Sequence, residues 1–217
     1  VIRMKKTIVI TGGSDGLGKA IARRLNAENN VIIISKDEES LIKTAEEINC
    51  EYYVCDVTDY KQVNNTINAI LDKNNKIDVL INNAQASASG VTIENHTTEQ
   101  FNLAMYSGLY SAFYYMKACY PHLKETKGTV INFASGAGLF GNKGQSSYAA
   151  AKEGIRGLSR VAATEWGPDG VRVNMIAPLA MTESLSEWKD AYPELFQKTI
   201  QGIPLGRFAD PMQDIGR

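Results

Sequence analysis

The chain has 217 residues, enough for one domain with a substantial core, and its 23 basic side chains nearly balance its 24 acidic ones, for a formal net charge of −1. No basic excess or stripe marks a binder of nucleic acid or another polyanion. The three cysteines, Cys50, Cys55 and Cys119, lack a Cys-x-x-Cys spacing and have only His96 and His122 beside them, which argues against a zinc site and for reduced thiols in a cytoplasmic protein.

Met4 is a candidate initiator, preceded by Val1 to Arg3. No secretory leader is expected, because the first apolar run, Ile8-Val9-Ile10, leads straight into glycines. Residues 6–11 predict a β-branched strand, and Leu17, Ile21 and Leu25 recur every fourth residue on a helix face. Between them lies Thr11-Gly12-Gly13-Ser14-Asp15-Gly16-Leu17-Gly18, a turn through which backbone N–H groups can approach a phosphate at a helix N-terminus. Val31-Ile32-Ile33-Ile34 is a second buried strand, with Leu41, Ala45 and Ile48 marking the helix after it. A third strand, Tyr52-Tyr53-Val54-Cys55, ends at Asp56-Val57; Asp59 and Gln62 then form a capping-box pattern before Val63, Ile67 and Ile70. Ile77 to Ile81 is a fourth, ending at Asn82-Asn83-Ala84.

Thr97 with Gln100 opens a long helix to about His122, with Pro121 near its end; its uncharged stretch, Gln100 to Met116, falls short of the ~20 apolar residues that a membrane span needs. The run Thr129 to Ala134 predicts a buried strand ending at Ser135, followed by a helix to about Trp166 and a strand over Val171 to Ile176. Strands alternate with helices throughout, so the expected fold is α/β: a doubly wound parallel sheet, helices on both faces, in three layers within one domain over 1–217.

Tyr148 and Lys152 stand four residues apart in the alanine-rich segment Ser146 to Lys152, which places both side chains on one helix face. An ammonium one turn away favours the phenolate, so the tyrosine becomes a candidate proton donor and acceptor. Alone, such a spacing is most often a solvated helix pair. The glycine turn between a strand and a helix changes that balance.

Taken together, Thr11-Gly12-x-x-x-Gly16-x-Gly18, Asp56-Val57, Asn82-Asn83-Ala84, Ser135, Tyr148-x-x-x-Lys152 and Arg172-Val173-Asn174 resemble the short-chain dehydrogenase/reductase family in its single-domain branch, over Lys5 to Arg217. Twelve residues separate Ser135 from Tyr148, the family's spacing. The resemblance implies a Rossmann-type sheet and hydride transfer between a nicotinamide nucleotide and a ketone, aldehyde or secondary alcohol. It implies that Tyr148 is the general acid and base, that Lys152 binds the nicotinamide ribose and lowers the tyrosine pKa, and that Ser135 holds the substrate oxygen. It further implies a nucleotide site along Gly12, Ser14, Gly16, Leu17, Gly18, Ser35, Lys36, Asp56, Val57, Asn83, Ala84, Tyr148, Lys152, Pro178 and Thr182, and no metal.

Several positions depart from the family pattern. Gly108 stands where an asparagine is usual, Gln85 where Asn-Asn-Ala-Gly ends in glycine, and Leu179 where glycine follows Pro178. Gly108 allows a helix irregularity, and Gln85 alters the edge of the nucleotide pocket. These departures leave open a second reading, a dinucleotide-binding sensor or scaffold with weak or no catalysis. Ser35-Lys36 offers no carboxylate to an adenosine ribose and a cation to a 2′-phosphate, so NADP is expected, with NAD possible. Residues 179–205 should cover the substrate: Trp188, Tyr192 and Phe196 recur at four-residue spacing, Pro193 divides the segment into two helices, and Leu139 and Phe140 add to a partly apolar site. The remaining expectations are a chain truncated at its C-terminus, no membrane or nucleic-acid partner, and a homodimer or homotetramer.

Overall fold

A computed structural model describes residues 4–217; Val1 to Arg3, and the reading of them as a segment ahead of the start, lie outside the described residues. Six strands form one sheet in the order β3-β2-β1-β4-β5-β6: β1 (Thr7–Thr11), β2 (Asn30–Ser35), β3 (Glu51–Val54), β4 (Val79–Asn82), β5 (Thr129–Phe133) and β6 (Arg172–Ile176). Every neighbouring pair is parallel, and the order reverses between β1 and β4. In such a sheet the carboxyl ends of the strands flanking the reversal border the ligand crevice.

Alternation along β1 feeds two cores. Val9 faces one layer with Val63, Ile67 and Ile70 of α3 (Tyr60–Asn74) and Tyr115, Met116, Cys119 and Leu123 of α5 (Ser111–Thr126). Ile8 and Ile10 face the other with Ile21 and Ala22 of α1 (Gly16–Asn26) and Leu41 and Ala45 of α2 (Glu38–Ile48). Successive side chains of a strand point to opposite faces, so this continuous apolar run needs a helical layer on each side. The cover thins at the sheet's edges, where Tyr52 and Val54 of β3 and Met175 of β6 are exposed.

Two expected details change. Asp59 caps α3 by accepting from the N–H groups of Lys61 and Gln62, but the box is not reciprocal through the backbone: Gln62 Nε2 donates to Asp59 Oδ2 at 3.1 Å and its Oε1 accepts from the Asp56 N–H, because the Asp59 N–H already donates to the Asp56 carbonyl. The long helix after Thr97 does begin with a reciprocal capping box. It then runs as α4 (Thr98–Ala104), a π-helical turn (Met105–Tyr110) and α5, ending at Thr126 rather than near His122, with Pro121 inside α5.

A short helix, α6 (Gly136–Phe140), follows β5, and α7 (Ser146–Trp166) follows α6. A buried polar chain ties α7 to the sheet. Asn82 Nδ2 of β4 donates to Asn132 Oδ1 of β5 at 2.8 Å, Asn132 Nδ2 donates to Ser159 Oγ of α7 at 2.8 Å, and Ser159 Oγ donates to the Ile155 carbonyl at 2.7 Å. Removing the middle member strands a donor on one side and an acceptor on the other. Asn132→Leu is therefore expected to destabilise the fold by about 1–3 kcal/mol in denaturant unfolding.

Candidate active site

The glycine turn is shaped by close approach. Gly12 has φ +64°, and a Cβ there would lie 2.9 Å from Ala84 Cα; a Cβ on Gly18 would lie 2.1 Å from the Gly12 carbonyl oxygen. Gly16, at φ +48°, faces open space at the start of α1, whose N-cap Asp15 makes no side-chain cap bond. The first N–H groups of α1 are thus left for an anion, with the helix dipole behind them. Asn83 braces the turn from the end of β4: its Nδ2 donates to the Gly12 carbonyl at 2.8 Å, and the Asn83 and Ala84 N–H groups both donate to Thr11 Oγ1 at 3.1 Å.

Other members of the expected nucleotide site divide between the crevice and the framework. Buried Ser14 donates to Ser35 Oγ at 3.1 Å, and its carbonyl accepts from Thr44 at 2.7 Å, so it joins the turn to the end of β2. Lys36 is exposed, while Asp37 is committed to capping α2 through Ser40 N. Asp56 Oδ1 accepts from the N–H and hydroxyl of Thr58, and Leu17 and Val57 pack partly buried against the two cores. A phosphate-accepting turn, a hydroxyl and a cation at the end of β2, and a braced floor fit a dinucleotide.

Further along the crevice, Tyr148 lines a cleft of about 540 Å³ with Ser89, Ala137, Gln145, Pro178 and Leu179. Thr182 also lines it, with its hydroxyl accepting from Leu185 N to cap α8 (Glu183–Ala191). Ser135 is not among the walls. It caps α6 at the end of β5, where Oγ accepts from Ala137 N at 3.2 Å and keeps its own proton free to donate. Lys152 is buried on α7, with Nζ 5.5 Å from the centre of the Tyr148 ring. Loss of hydration pushes its pKa down from 10.5 to about 8.

The segment expected to cover the substrate forms two helices, α8 and α9 (Pro193–Gln201), divided at Pro193. Its aromatic residues mainly hold the cover together. Phe196 is buried between Trp188 at 6.0 Å and Phe208 at 5.1 Å, whereas Tyr192 remains exposed. A parallel bridge between Ala180 and Ala209 closes its base.

The Gln85 side chain is held by its own neighbourhood. Its Nε2 donates to the carbonyls of Ala86 and Ala104, against the π-helical turn that contains Gly108. Neither this contact nor the Asn82–Asn132–Ser159 chain has a local pattern in sequence. Among the described residues, no cluster of three or more His, Cys, Asp or Glu could hold a metal ion, and no helix is long and apolar enough to cross a membrane.

A lysine with a lowered pKa has a defined signature in stability. Between pH 8 and 10.5 the unfolded chain holds the Lys152 proton while the folded chain has released it, so this residue makes the fold more stable as pH rises through that window. Below it the penalty is full. In the nucleotide-free protein, Lys152→Met is expected to exceed wild type by up to about 3 kcal/mol at neutral pH, the gap closing as pH approaches 10.5, in denaturant unfolding at several pH values.

Comparison with known proteins agrees with this architecture. The family model described as short chain dehydrogenase matches residues 6–191. A 12alpha-hydroxysteroid dehydrogenase of Clostridium sp. is 51% identical over 226 aligned positions, covering 98% of this chain and 87% of its own. Two solved structures superimpose closely: ElxO with NADP bound (30% identity, TM-score 0.88, 96% of this chain and 88% of that one) and NAD+-bound xylitol dehydrogenase (26% identity, TM-score 0.86, 95% and 88%). With the glycine turn and the Tyr148–Lys152 face already in place, these matches establish that the chain belongs to the short chain dehydrogenase family of oxidoreductases.

Proposed function

We propose that this chain is an NADP-dependent dehydrogenase that interconverts a secondary alcohol and a ketone, with a hydroxysteroid as its substrate. The observation that carries the reading is Tyr148 on the wall of the cleft with the buried Lys152 ammonium beside its ring. A bound nicotinamide nucleotide supplies the hydride chemistry. Tyr148 takes the hydroxyl proton during oxidation and returns it during reduction, and Lys152 places positive charge where phenolate character develops. Ser135 donates a hydrogen bond to the substrate oxygen, which its capping role allows because Ala137 N uses only an acceptor position on Oγ.

Support for NADP comes from the end of β2, where Ser35 and Lys36 present a hydroxyl and a cation and the Asp37 carboxylate is held by its helix. The substrate class rests on the hydroxysteroid-acting relative and on the cleft itself. Ala137, Pro178, Leu179 and Leu185 offer apolar walls, with Ser89 and Gln145 as polar partners, which suits a rigid apolar skeleton bearing hydroxyl groups. Residues 179–205 would close over that skeleton. The cytoplasm, where thiols stay reduced, suits free Cys50, Cys55 and Cys119.

Steady-state assays over a panel of hydroxysteroids test this. NADP+ should support oxidation and bind more tightly than NAD+, and Tyr148→Phe should lower kcat by about 10²–10⁴-fold while NADPH still binds. Tighter NADH binding would refute the nucleotide assignment; NADPH binding with no turnover would refute the enzyme.

The chain is also proposed to pair with itself. Tyr106, Tyr110 and Phe113 expose 42%, 41% and 42% of their surface along the outer side of the π-helical turn and α5, and Val161 of α7 exposes 55%. Covering so much apolar surface favours a homodimer or homotetramer. Val161→Glu is expected to shift the mass in light scattering towards a monomer; a monomeric wild type would sink the proposal.

A further inference from the structure

Two of the unusual residues, Gln85 and Gly108, meet in space. A Cβ built on Gly108 would fall 2.0 Å from Gln85 Oε1, 2.7 Å from its Cδ and 2.8 Å from its Nε2. The Gln85 carboxamide therefore fills the volume into which any side chain at 108 would grow. It is anchored there, since Nε2 donates to the Ala104 carbonyl at 3.1 Å, just where α4 gives way to the π-helical turn. Its Oε1 is enclosed and finds no hydrogen-bond partner among the described residues.

The neighbouring residue adds a second clasp on the same turn. Ala86 N–H donates to Ser107 Oγ at 2.9 Å, and Ser107 Oγ lies within hydrogen-bonding distance of the carbonyls of Ala86, at 3.1 Å, and Leu103, at 2.6 Å. On its other side the turn supports α7: Leu109 packs where Gly154 lacks a side chain, so closely that a Cβ on Gly154 would lie 2.7 Å from Leu109 Cδ2. Gly154 is two residues beyond Lys152. The height of the π-helical turn thus sets how deeply this part of α7 sits.

We propose that Gln85 and Gly108 form one positioning unit, in which a carboxamide delivered from the loop after β4 replaces the side chain that residue 108 lacks, holds the π-helical turn in shape, and through α7 seats Lys152 and Tyr148 at the cleft. Gln85 acts through the helix and touches no reacting atom. The proposal rests on the functional reading above for its effect on rate, but the pairing itself is independent of substrate.

The test is a double-mutant cycle of Gln85→Gly, Gly108→Asn and both together. Gly108→Asn alone forces two carboxamides into one volume and should lower the melting temperature by about 3–10 °C. Each single variant should lower kcat by about tenfold or more while the NADPH dissociation constant stays within about threefold, the split expected when reacting groups are displaced and the nucleotide turn is untouched. The double variant should recover both melting temperature and kcat to near wild type, because an asparagine at 108 places its amide carbon one bond beyond Cβ, in the region that Gln85 Cδ now fills. Additive losses, or wild-type kcat in Gln85→Gly, would overturn the proposal. If wild type turns over no hydroxysteroid, the functional reading falls by itself, and the melting temperatures decide the pairing: coupling sustains it and additivity defeats it.

Discussion

The seat of α7 is the constraint on which the rest of the molecule depends. This helix carries an ammonium that loses its hydration, a cost that the packing of the rest of the fold has to outweigh. Two unrelated devices hold the helix in place. On the sheet side, Asn132 links β4, β5 and Ser159 through hydrogen bonds of 2.8 Å. On the helix side, Leu109 fills the space over Gly154. One device is polar and directional and the other is steric, so together they limit both the rotation and the height of the helix.

The glycine turn is organised by the same sheet from the opposite side of the order reversal. Thr11 and Asn82 are register partners on β1 and β4, so the residues after each strand emerge side by side. Asn83 and Ala84 can therefore bond to Thr11 and Gly12 without strain. That proximity leaves no room for a side chain at Gly12 or Gly18, whereas Gly16 supplies a left-handed backbone at an open helix end. The three glycines thus answer to two requirements, close packing and backbone conformation. Only the helix end opens onto free space.

The segment 179–205 packs around a small core of its own. Trp188, Phe196 and Phe208 pack in series, and the Ala180–Ala209 bridge closes the segment at its base. Because the buried aromatic surface is taken up within the segment, the residues it presents to the cleft come from its start: Leu179, Ala180, Thr182 and Leu185.

The sequence by itself determined the parallel sheet, the glycine turn, the division of the cover at Pro193 and the shared face of Tyr148 and Lys152. Each of these follows from local signals: apolar runs, glycine and proline, and spacings of three or four residues along a helix. It also exposed Gly108 and Gln85 as separate oddities, with an irregular helix expected at the first. Tertiary structure alone decided that these two residues share one volume, that the Gln85 carboxamide bonds to the end of α4, that Gln62 serves both Asp56 and Asp59, and that Asn132 joins two strands to α7. Those contacts are made between segments up to 50 residues apart. No periodicity records them, because they depend on where whole elements come to rest, and that is set by the packing of both faces of the sheet.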